Sequence, residues 1–177
     1  MHRARITGVG HYVPENIVTN DDLGTFMDTN DEWIRERTGI EERRWVKEGY
    51  GNTAATMGIK AATIAIENAG LTKDDIDHIV FATISPDYYF PGCGVQVQEA
   101  MEMGTIGATD IRNACSGFIY ATSIANAFVQ TGMYENVLVV AAELQSPFLD
   151  KTTRGRGLSV IFGDGAGAAV VSRAPEG

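Results

Sequence analysis

The sequence has little of what disulfide-stapled, secreted and membrane-spanning proteins contain. Its 177 residues include only two cysteines, Cys93 and Cys115, which are too few for a disulfide scaffold and typical of a reducing compartment. No run of about 18 apolar residues occurs, as a membrane-spanning helix would need. The basic N-terminal residues are not followed by the apolar stretch of a secretory signal. These absences predict a cytoplasmic protein without a membrane span.

Positive charge and histidine are also scarce. Lysine and arginine number 14 against 23 acidic residues, which gives a formal net charge of −9. Nucleic-acid-binding domains carry a basic surface, so no nucleic-acid partner is predicted. His, Cys and carboxylate residues show no metal-ligand spacing, and neither a metal site nor a cofactor is expected. Of the histidines His2, His11 and His78, the last begins a predicted strand and is expected at the surface.

The apolar content of 44 % allows a substantial core, and no linker divides the chain, so residues 1–177 are predicted to form one domain. Strands are predicted at 3–13, 77–84, 107–112, 136–144, 158–162 and 166–172. Helices are predicted after the start signals at 19–22 and 29–32, and at 53–69, about 93–103 and 116–131. This alternation favours an α/β sheet with helices on both faces. The adjacent strands 158–162 and 166–172 would make the sheet mixed, and the apolar run 136–144 would be buried on both faces.

Residues 110–118 (Asp-Ile-Arg-Asn-Ala-Cys-Ser-Gly-Phe) carry the clearest chemical signal. A strand ends there, the chain turns among small residues, and a long helix begins at or just after Cys115. The free amides and positive partial charge of a helix start stabilise a thiolate and a developing oxyanion, which suits acyl transfer. The alternative is a buried core cysteine. Cys93 begins another helix without a preceding strand end, and we interpret it as structural.

Three motifs resemble those of ketoacyl-acyl-carrier-protein synthase III, in the same order along nearly the whole chain. They are Asn-Ala-Cys-Ser-Gly-Phe at 113–118, Asp-Glu-Trp-Ile at 31–34 with Arg-Thr-Gly-Ile at 37–40, and Phe-Gly-Asp-Gly-Ala-Gly-Ala at 162–168. The resemblance implies an α/β, thiolase-like fold: a mixed five-stranded sheet flanked by helices, one half of the duplicated thiolase fold. Residues 1–177 would be the N-terminal thiolase-like domain, with the C-terminal half absent from this chain. By itself, Gly163-Asp164-Gly165 is expected to be a structural turn between two strands rather than a phosphate loop, because no helix follows it.

The same resemblance implies an acyltransferase of fatty acid initiation. Cys115 would accept an acyl group from acyl-CoA and condense it with malonyl-acyl-carrier protein, giving a 3-oxoacyl product. The family's catalytic His and Asn would come from the C-terminal half, since none of the chain's histidines matches. The implied partners are acyl-CoA, malonyl-acyl-carrier protein, and a second copy in a homodimer or the C-terminal half. Acyl-CoA would be a substrate, with no cofactor.

The resemblance also assigns residues to binding. Trp33 and Arg37 match positions at the CoA adenine, and Arg156 matches a CoA-contacting arginine by its spacing before the glycine-rich turn, with Arg154 as a competitor. Phe90 matches a residue that closes the acyl pocket from the neighbouring subunit. An indole offers a flat face to a purine, and a guanidinium offers a stacking plane and a forked donor. The alternative is a tryptophan that covers the core and arginines on a solvated face.

Other functions remain open at this point. Residues 154–157 (Arg-Gly-Arg-Gly) depart from the simpler pattern expected for fatty acid initiation, which leaves polyketide priming or head-to-head condensation of long chains as alternatives. A non-catalytic half-subunit that shapes a partner's pocket is another, and an acyl-CoA hydrolase or transacylase a third. Residues 174–177 resemble an interdomain connection, so we expect a fragment of a longer enzyme.

Overall fold

The computed structural model describes residues 1–47 and 51–175. In chain order its strands are β1 (Ala4–Tyr12), β2 (Ile17–Thr19), β3 (Glu42–Arg44), β4 (His78–Ala82), β5 (Gly107–Ile111), β6 (Asn136–Glu143) and β7 (Gly165–Arg173). Its helices are α1 (Asn20–Gly24), α2 (Asp31–Thr38), α3 (Ala54–Asn68), α4 (Cys93–Ala100), α5 (Gly117–Thr131) and α6 (Arg156–Ser159). The residues form two compact units. The sheet unit comprises Met1–Tyr12, Thr53–Glu143 and Ala166–Gly177, and the small unit comprises Val13–Asn52 and Leu144–Gly165.

The sheet unit is built on a five-stranded sheet in the order β1-β7-β6-β4-β5. β4 runs parallel to both β5 and β6, whereas β1 runs antiparallel to β7. The predicted mixed five-stranded sheet with flanking helices is therefore confirmed. The first and last strands of the chain, β1 and β7, form an antiparallel pair.

The central strands and the helix α5 form the core of the sheet unit. Residues Val137–Val140 of β6 are fully buried, which confirms the strand buried on both faces. The α5 residues Ala121, Ala125 and Val129 pack in one cluster with valines of β4 and β6. The two longest helices, α3 and α5, have 15 residues each, and in the described ranges no helix combines the length and apolar character needed to cross a bilayer.

Helix α3 lies unusually close to β1, and two glycines of the strand allow this approach. A Cβ added at Gly8 would come within 2.1 Å of the Ala65 carbonyl oxygen, and one at Gly10 within 2.2 Å of the Ala61 oxygen. Any side chain there would push the helix away from the sheet. The glycines inside the first strand thus mark the close approach of a helix.

The small unit combines a two-stranded sheet of β2 and β3 with three short helices. Its buried core contains Val18, Leu23, Met27, Ile34, Trp45 and Val160. Arg43 is buried beside this core and donates hydrogen bonds to the Val18 and Val160 carbonyls and to the Asn20 side chain. These bonds pair the terminal nitrogens of Arg43 and lower the cost of burying its charge, while its Nε has no hydrogen-bond partner among the described residues.

The strand predicted at 158–162 is wrong. This segment forms the end of α6 and a turn, in which the amides of Ile161 and Phe162 donate to the Leu158 carbonyl. Val160 is 2 % exposed and packs in the core of the small unit, whereas Leu158 and Ile161 are exposed. A short apolar run has no period that distinguishes a strand from a buried turn. The hydrophobic pattern of the sequence also gave no indication of β2 and β3, each of which has three residues.

The turn at Gly163-Asp164-Gly165 is structural, as expected, but it joins α6 to β7 rather than two strands. The buried Asp164 carboxylate accepts hydrogen bonds from the amides of Val46, Gln145 and Ser146, at 2.7 to 2.8 Å, and from the Ser146 hydroxyl. A carboxylate with several backbone donors ties separate segments together. Asp164 thus holds the small unit's two chain segments to one another.

The prediction that His78 lies at the surface is also wrong. Its side chain is buried at the start of β4, where the ring packs 4.9 Å from Tyr134 and 5.1 Å from Phe128, measured between ring centroids. Nε2 is hydrogen-bonded to the Thr109 hydroxyl, and Nδ1 has no hydrogen-bond partner among the described residues. Burial lowers the pKa of His78, because it disfavours the charged imidazolium.

Candidate active site

Cys115 lies between β5 and α5. β5 ends at Ile111, residues Ala114–Ser116 form one turn of 3-10 helix, and α5 begins at Gly117. Cys115 is an exposed free thiol. The predicted strand–turn–helix position is confirmed, and the alternative of a buried core cysteine is wrong.

The turn around the thiol is tight. Ala114 has φ 47°, a left-handed conformation that costs a residue with a side chain about 1 kcal/mol or more. The Ser116 amide and hydroxyl both donate to the Asn113 carbonyl, at 3.2 and 2.8 Å. A Cβ added at Gly117 would lie 3.1 Å from the Ala82 Cβ, so α5 starts close to the end of β4. These contacts hold Cys115 at the carboxyl end of parallel strands.

The start of α5 places a partial positive charge near Cys115. A 15-residue helix carries a partial positive charge at its N-terminus, where the first amides have no partner within the helix. Such amides can receive the negative charge that develops on a thioester oxygen when a thiol attacks. The geometry therefore suits a nucleophilic cysteine in acyl transfer.

Cys93 provides an internal contrast. Its side chain is fully buried, and burial raises the pKa of the Cys93 thiol to about 11. A thiol with that pKa is almost entirely protonated at neutral pH and reacts poorly. The interpretation of Cys93 as structural agrees with this environment.

Two carboxylates that the sequence analysis missed order the strand ends near the turn. Asp110 of β5 accepts the amides of Cys93 and Gly94, at 2.7 and 3.0 Å, and so caps α4. Glu143 at the end of β6 accepts the Ile84 amide and the Ser85 hydroxyl, at 3.0 and 2.8 Å. An acidic residue at the end of a strand, or next to its end, was the available signal for both.

Phe90 is 81 % exposed and packs only edge-on against Tyr89, with ring centroids 5.1 Å apart. It belongs to the sheet unit, as does Cys115. Further large apolar side chains of this unit are exposed in the same loop and on the first turn of α5, namely Ile84, Tyr88, Tyr89, Ile119 and Tyr120. Exposure of so much apolar surface is typical of a contact surface.

Trp33, Arg37 and Arg156 come together in the small unit. The guanidinium carbons of Arg37 and Arg156 each lie 4.4 Å from the centroid of a Trp33 ring. Arg37 reaches the ring from one helical turn further along α2, and its Nη1 also donates to the Trp33 carbonyl at 3.3 Å. Arg156, the first residue of α6, donates to the Asp28 carbonyl. Indole faces attract guanidinium groups, so this cluster is a stacking platform with two cations.

The two competing arginines have different surroundings. Arg156 contacts Trp33, whereas Arg154 donates from Nε to Asp150 at 2.7 Å, and its side chain is 89 % exposed. The structure thus places Arg156, and not Arg154, against the Trp33 ring. No group of three or more His, Cys, Asp or Glu side chains within residues 1–47 and 51–175 is arranged to hold a metal ion.

Comparison with known proteins identifies one family. Residues 109–177, which include Cys115 and the glycine-rich turn, match the family model 3-Oxoacyl-[acyl-carrier-protein (ACP)] synthase III. The chain is 46 % identical over 173 residues to beta-ketoacyl-[acyl-carrier-protein] synthase III of Sulfurimonas denitrificans, covering 97 % of this chain and 51 % of that protein. It is 48 % identical over 178 residues to the protein of the same name from Clostridioides difficile, covering 99 % and 52 %.

Solved structures agree with the sequence comparison. The chain superposes on 3-oxoacyl-[acyl-carrier-protein] synthase III from Aquifex aeolicus with a TM-score of 0.92 and 44 % identity, covering 98 % of this chain and 55 % of that one. The priming beta-ketosynthase of the R1128 polyketide pathway gives a TM-score of 0.92 at 38 % identity, with 98 % and 51 % covered. The chain spans about half the length of the relatives it matches. In sequence and in fold, the chain is therefore similar to about half of the length of 3-oxoacyl-[acyl-carrier-protein] synthase III proteins.

Proposed function

We propose that this chain carries the acyl-accepting thiol and part of the CoA site of a 3-oxoacyl-acyl-carrier-protein synthase. The observation that carries the proposal is the exposed free thiol of Cys115 on a tight turn at the start of a 15-residue helix. Such a position leaves the thiol open to an acyl donor and offers amides to an oxyanion. The chain's similarity to synthases along nearly its whole length supports the same role.

The proposed reaction has two steps on Cys115. The thiolate attacks the carbonyl carbon of an acyl-CoA, the C–S bond to CoA breaks, and CoA leaves as a thiol after taking up a proton. A malonyl-acyl-carrier protein then loses CO₂, and the electron pair of the broken C–C bond forms the new bond to the acyl carbon. The Cys115 thiolate is released, and the product is a 3-oxoacyl-acyl-carrier protein.

The second step needs groups that stabilise the enolate formed on decarboxylation. The resemblance assigns this work to a His and an Asn outside these 177 residues. Within the chain, His78 is buried against Phe128 and Tyr134, which makes it unsuitable for the role. The proposal therefore assigns acylation to this chain's residues and decarboxylation to a C-terminal half.

The platform of Trp33, Arg37 and Arg156 is proposed to bind the CoA nucleotide. A purine stacks on an indole, and the guanidinium planes extend the stack while their positive charge attracts the diphosphate. The contact of Arg156 with Trp33 at 4.4 Å favours Arg156 over Arg154 as the stacking residue. The nucleotide would displace one guanidinium from the ring face on binding.

A second polypeptide surface is proposed to cover the exposed apolar residues of the sheet unit. Phe90, at 81 % exposed, would close the acyl pocket of a neighbouring subunit in a homodimer. A C-terminal half would cover other parts of the sheet unit. Burial of about 100 Å² of an aromatic side chain contributes roughly 2.5 kcal/mol to such an association.

Priming of a polyketide is the second candidate function. The observation that favours it is the TM-score of 0.92 with the R1128 priming beta-ketosynthase. The chemistry on Cys115 would be unchanged, and only the carrier protein and acyl group would differ. Competition between fatty acid and polyketide carrier proteins, each loaded with malonyl, would separate the two candidates.

The test is a condensation assay on the protein that carries this chain, with acetyl-CoA and malonyl-acyl-carrier protein. We expect CO₂ release and a 3-oxoacyl product from the wild type, and neither from Cys115→Ala. Acylation of Cys115 followed by hydrolysis, without condensation, would support a hydrolase instead. An unreactive Cys115 in a correctly folded protein would support the non-catalytic half-subunit.

A further inference from the structure

Arg154 has a feature that separates it from the other arginines of the small unit. Its Nε is bound to Asp150, and its two terminal nitrogens have no hydrogen-bond or ion-pair partner within the described residues. Each of the other five uses at least one terminal nitrogen on a carboxylate, a side-chain oxygen or a carbonyl: Arg35, Arg37, Arg43, Arg44 and Arg156. Arg154 therefore presents its two terminal nitrogens to solvent, while the hydrogen bond from Nε to Asp150 holds the side chain in place.

The turn that carries Arg154 is held by several hydrogen bonds. The Asp150 carboxylate accepts the Thr152 amide and hydroxyl, at 3.1 and 2.7 Å, in addition to Arg154. The Ser159 hydroxyl donates to the Asp150 carbonyl at 2.7 Å. A Cβ added at Gly155 would lie 2.0 Å from that carbonyl oxygen, so the residue between the two arginines has to be glycine. The turn fixes Arg154 close to Arg156 along the chain.

Asp150 orients Arg154 without neutralising its fork. The hydrogen bonds from Thr152 and Arg154 lower the pKa of Asp150, so it remains a carboxylate at neutral pH. Asp150 is bound to Nε, so the edge formed by the two terminal nitrogens remains available, and two N–H groups of that edge can bind a phosphate with two parallel hydrogen bonds.

We propose that Arg154 binds the 3′-phosphate of the CoA nucleotide whose purine stacks on Trp33, and so selects CoA over 3′-dephospho-CoA. The inference rests on the proposed function. CoA carries its diphosphate and pantetheine arm on the ribose 5′ oxygen. Its 3′-phosphate is a separate anionic group on the ribose, close to the purine rather than on the pantetheine arm. Arg154, two positions from the stacking residue Arg156 and 89 % exposed, provides the fork for that phosphate.

The experiment compares acylation of Cys115 by acetyl-CoA and by acetyl-3′-dephospho-CoA in the protein that carries this chain. The measured quantity is the second-order rate constant of acylation, followed by intact mass. We expect the wild type to prefer acetyl-CoA by about tenfold, as a charge-assisted contact gives. Arg154→Gln should lose most of that preference by slowing the reaction of acetyl-CoA alone, and Arg154→Lys, which keeps the charge but not the fork, should retain part of it.

Two further variants are controls. Arg35→Gln removes another half-exposed arginine of the small unit, one engaged with Glu41, and should keep the wild-type preference. Arg156→Gln should slow both thioesters alike, because it removes the stacking group. Thermal unfolding of Arg154→Gln should match the wild type, since the side chain is at the surface.

The possible outcomes distinguish a failure of the Arg154 assignment from a failure of the proposed function. Equal rates for both thioesters in the wild type, or an unchanged preference in Arg154→Gln, would overturn the role of Arg154 and leave the acyltransferase intact. If neither thioester acylated Cys115 in the wild type, the proposed function would fail, and this inference with it. A preference that declines with added salt would support the ionic contact, because exposed charges are screened.

Discussion

The guanidinium carbon of Arg156 lies 4.4 Å from the centroid of a Trp33 ring. Trp33 belongs to α2, in the middle of the small unit's first chain segment, and Arg156 begins α6 in its second segment. Asp164 holds these segments together by accepting amides from both, Val46 in the first and Ser146 in the second. The fold of the small unit thus assembles a platform whose parts are distant in the sequence.

Removal of the indole tests the platform. Trp33→Ala is expected to weaken binding of acyl-CoA about tenfold or more, because it removes the surface for the purine and the partner of both guanidinium groups. Trp33→Phe should lose less. The measurement is KM for acyl-CoA in Cys115 acylation, with kcat nearly unchanged. Met133→Ala, at an exposed residue of the sheet unit, is the control; equal KM values for Trp33→Ala and wild type would contradict the assignment.

Loss of the Asp164 carboxylate should lower the stability of the folded protein. Asp164→Ala leaves three amides and a hydroxyl without their acceptor, and we expect the free energy of unfolding to fall by about 3 kcal/mol. Asp164→Asn should fall less, because one acceptor oxygen remains. Denaturant unfolding provides the measurement. Asp74→Asn, at an exposed position, should stay within about 0.5 kcal/mol of the wild type, and a similarly small effect of Asp164→Ala would refute the role of Asp164.

The buried His78 makes stability depend on pH. Its pKa in the folded protein lies below the ordinary value of 6.5, so the unfolded chain binds the proton more readily. The stabilising contribution is fully present above pH 6.5 and is lost as the pH falls toward the pKa of the folded state. We expect the free energy of unfolding to decline from pH 7 to 5, and to decline less in His78→Leu. His11→Gln, at a side chain exposed to solvent, should keep the wild-type slope; identical slopes for wild type and His78→Leu would contradict the account.

The fold was predictable where the hydrophobic periodicity of the sequence agrees with the residues that typically start or end a helix. The helix from Ala54 to Asn68 follows Thr53, whose hydroxyl accepts the Thr56 amide, and α2 ends at Gly39 with φ 72°. These are local features, and each can be read from a few neighbouring residues. The antiparallel pairing of β1 with β7 depends on contacts between the two ends of the chain, and local sequence holds no record of it.

The site was predictable in part for the same reason. Cys115 follows from a strand end and a helix start that adjoin in the chain. The burial of His78 does not follow from neighbouring residues in the sequence, since its ring packs against Phe128 and Tyr134. The choice between Arg154 and Arg156 depends on which one reaches Trp33. Spacing before the glycine-rich turn indicated Arg156, with Arg154 as a competitor, and the folded chain places Arg156 at the indole.

The measurement that tests the central claim most directly is the mass of the protein after exposure to acetyl-CoA, followed by peptide mapping. We predict one added acetyl group, located on Cys115, in the wild type and in Cys93→Ala, and none in Cys115→Ala. Cys93 should remain unmodified, because its thiol is buried and its pKa is about 11. An acetyl group on another residue, or one that persists in Cys115→Ala, would contradict the assignment of Cys115 as the acyl acceptor.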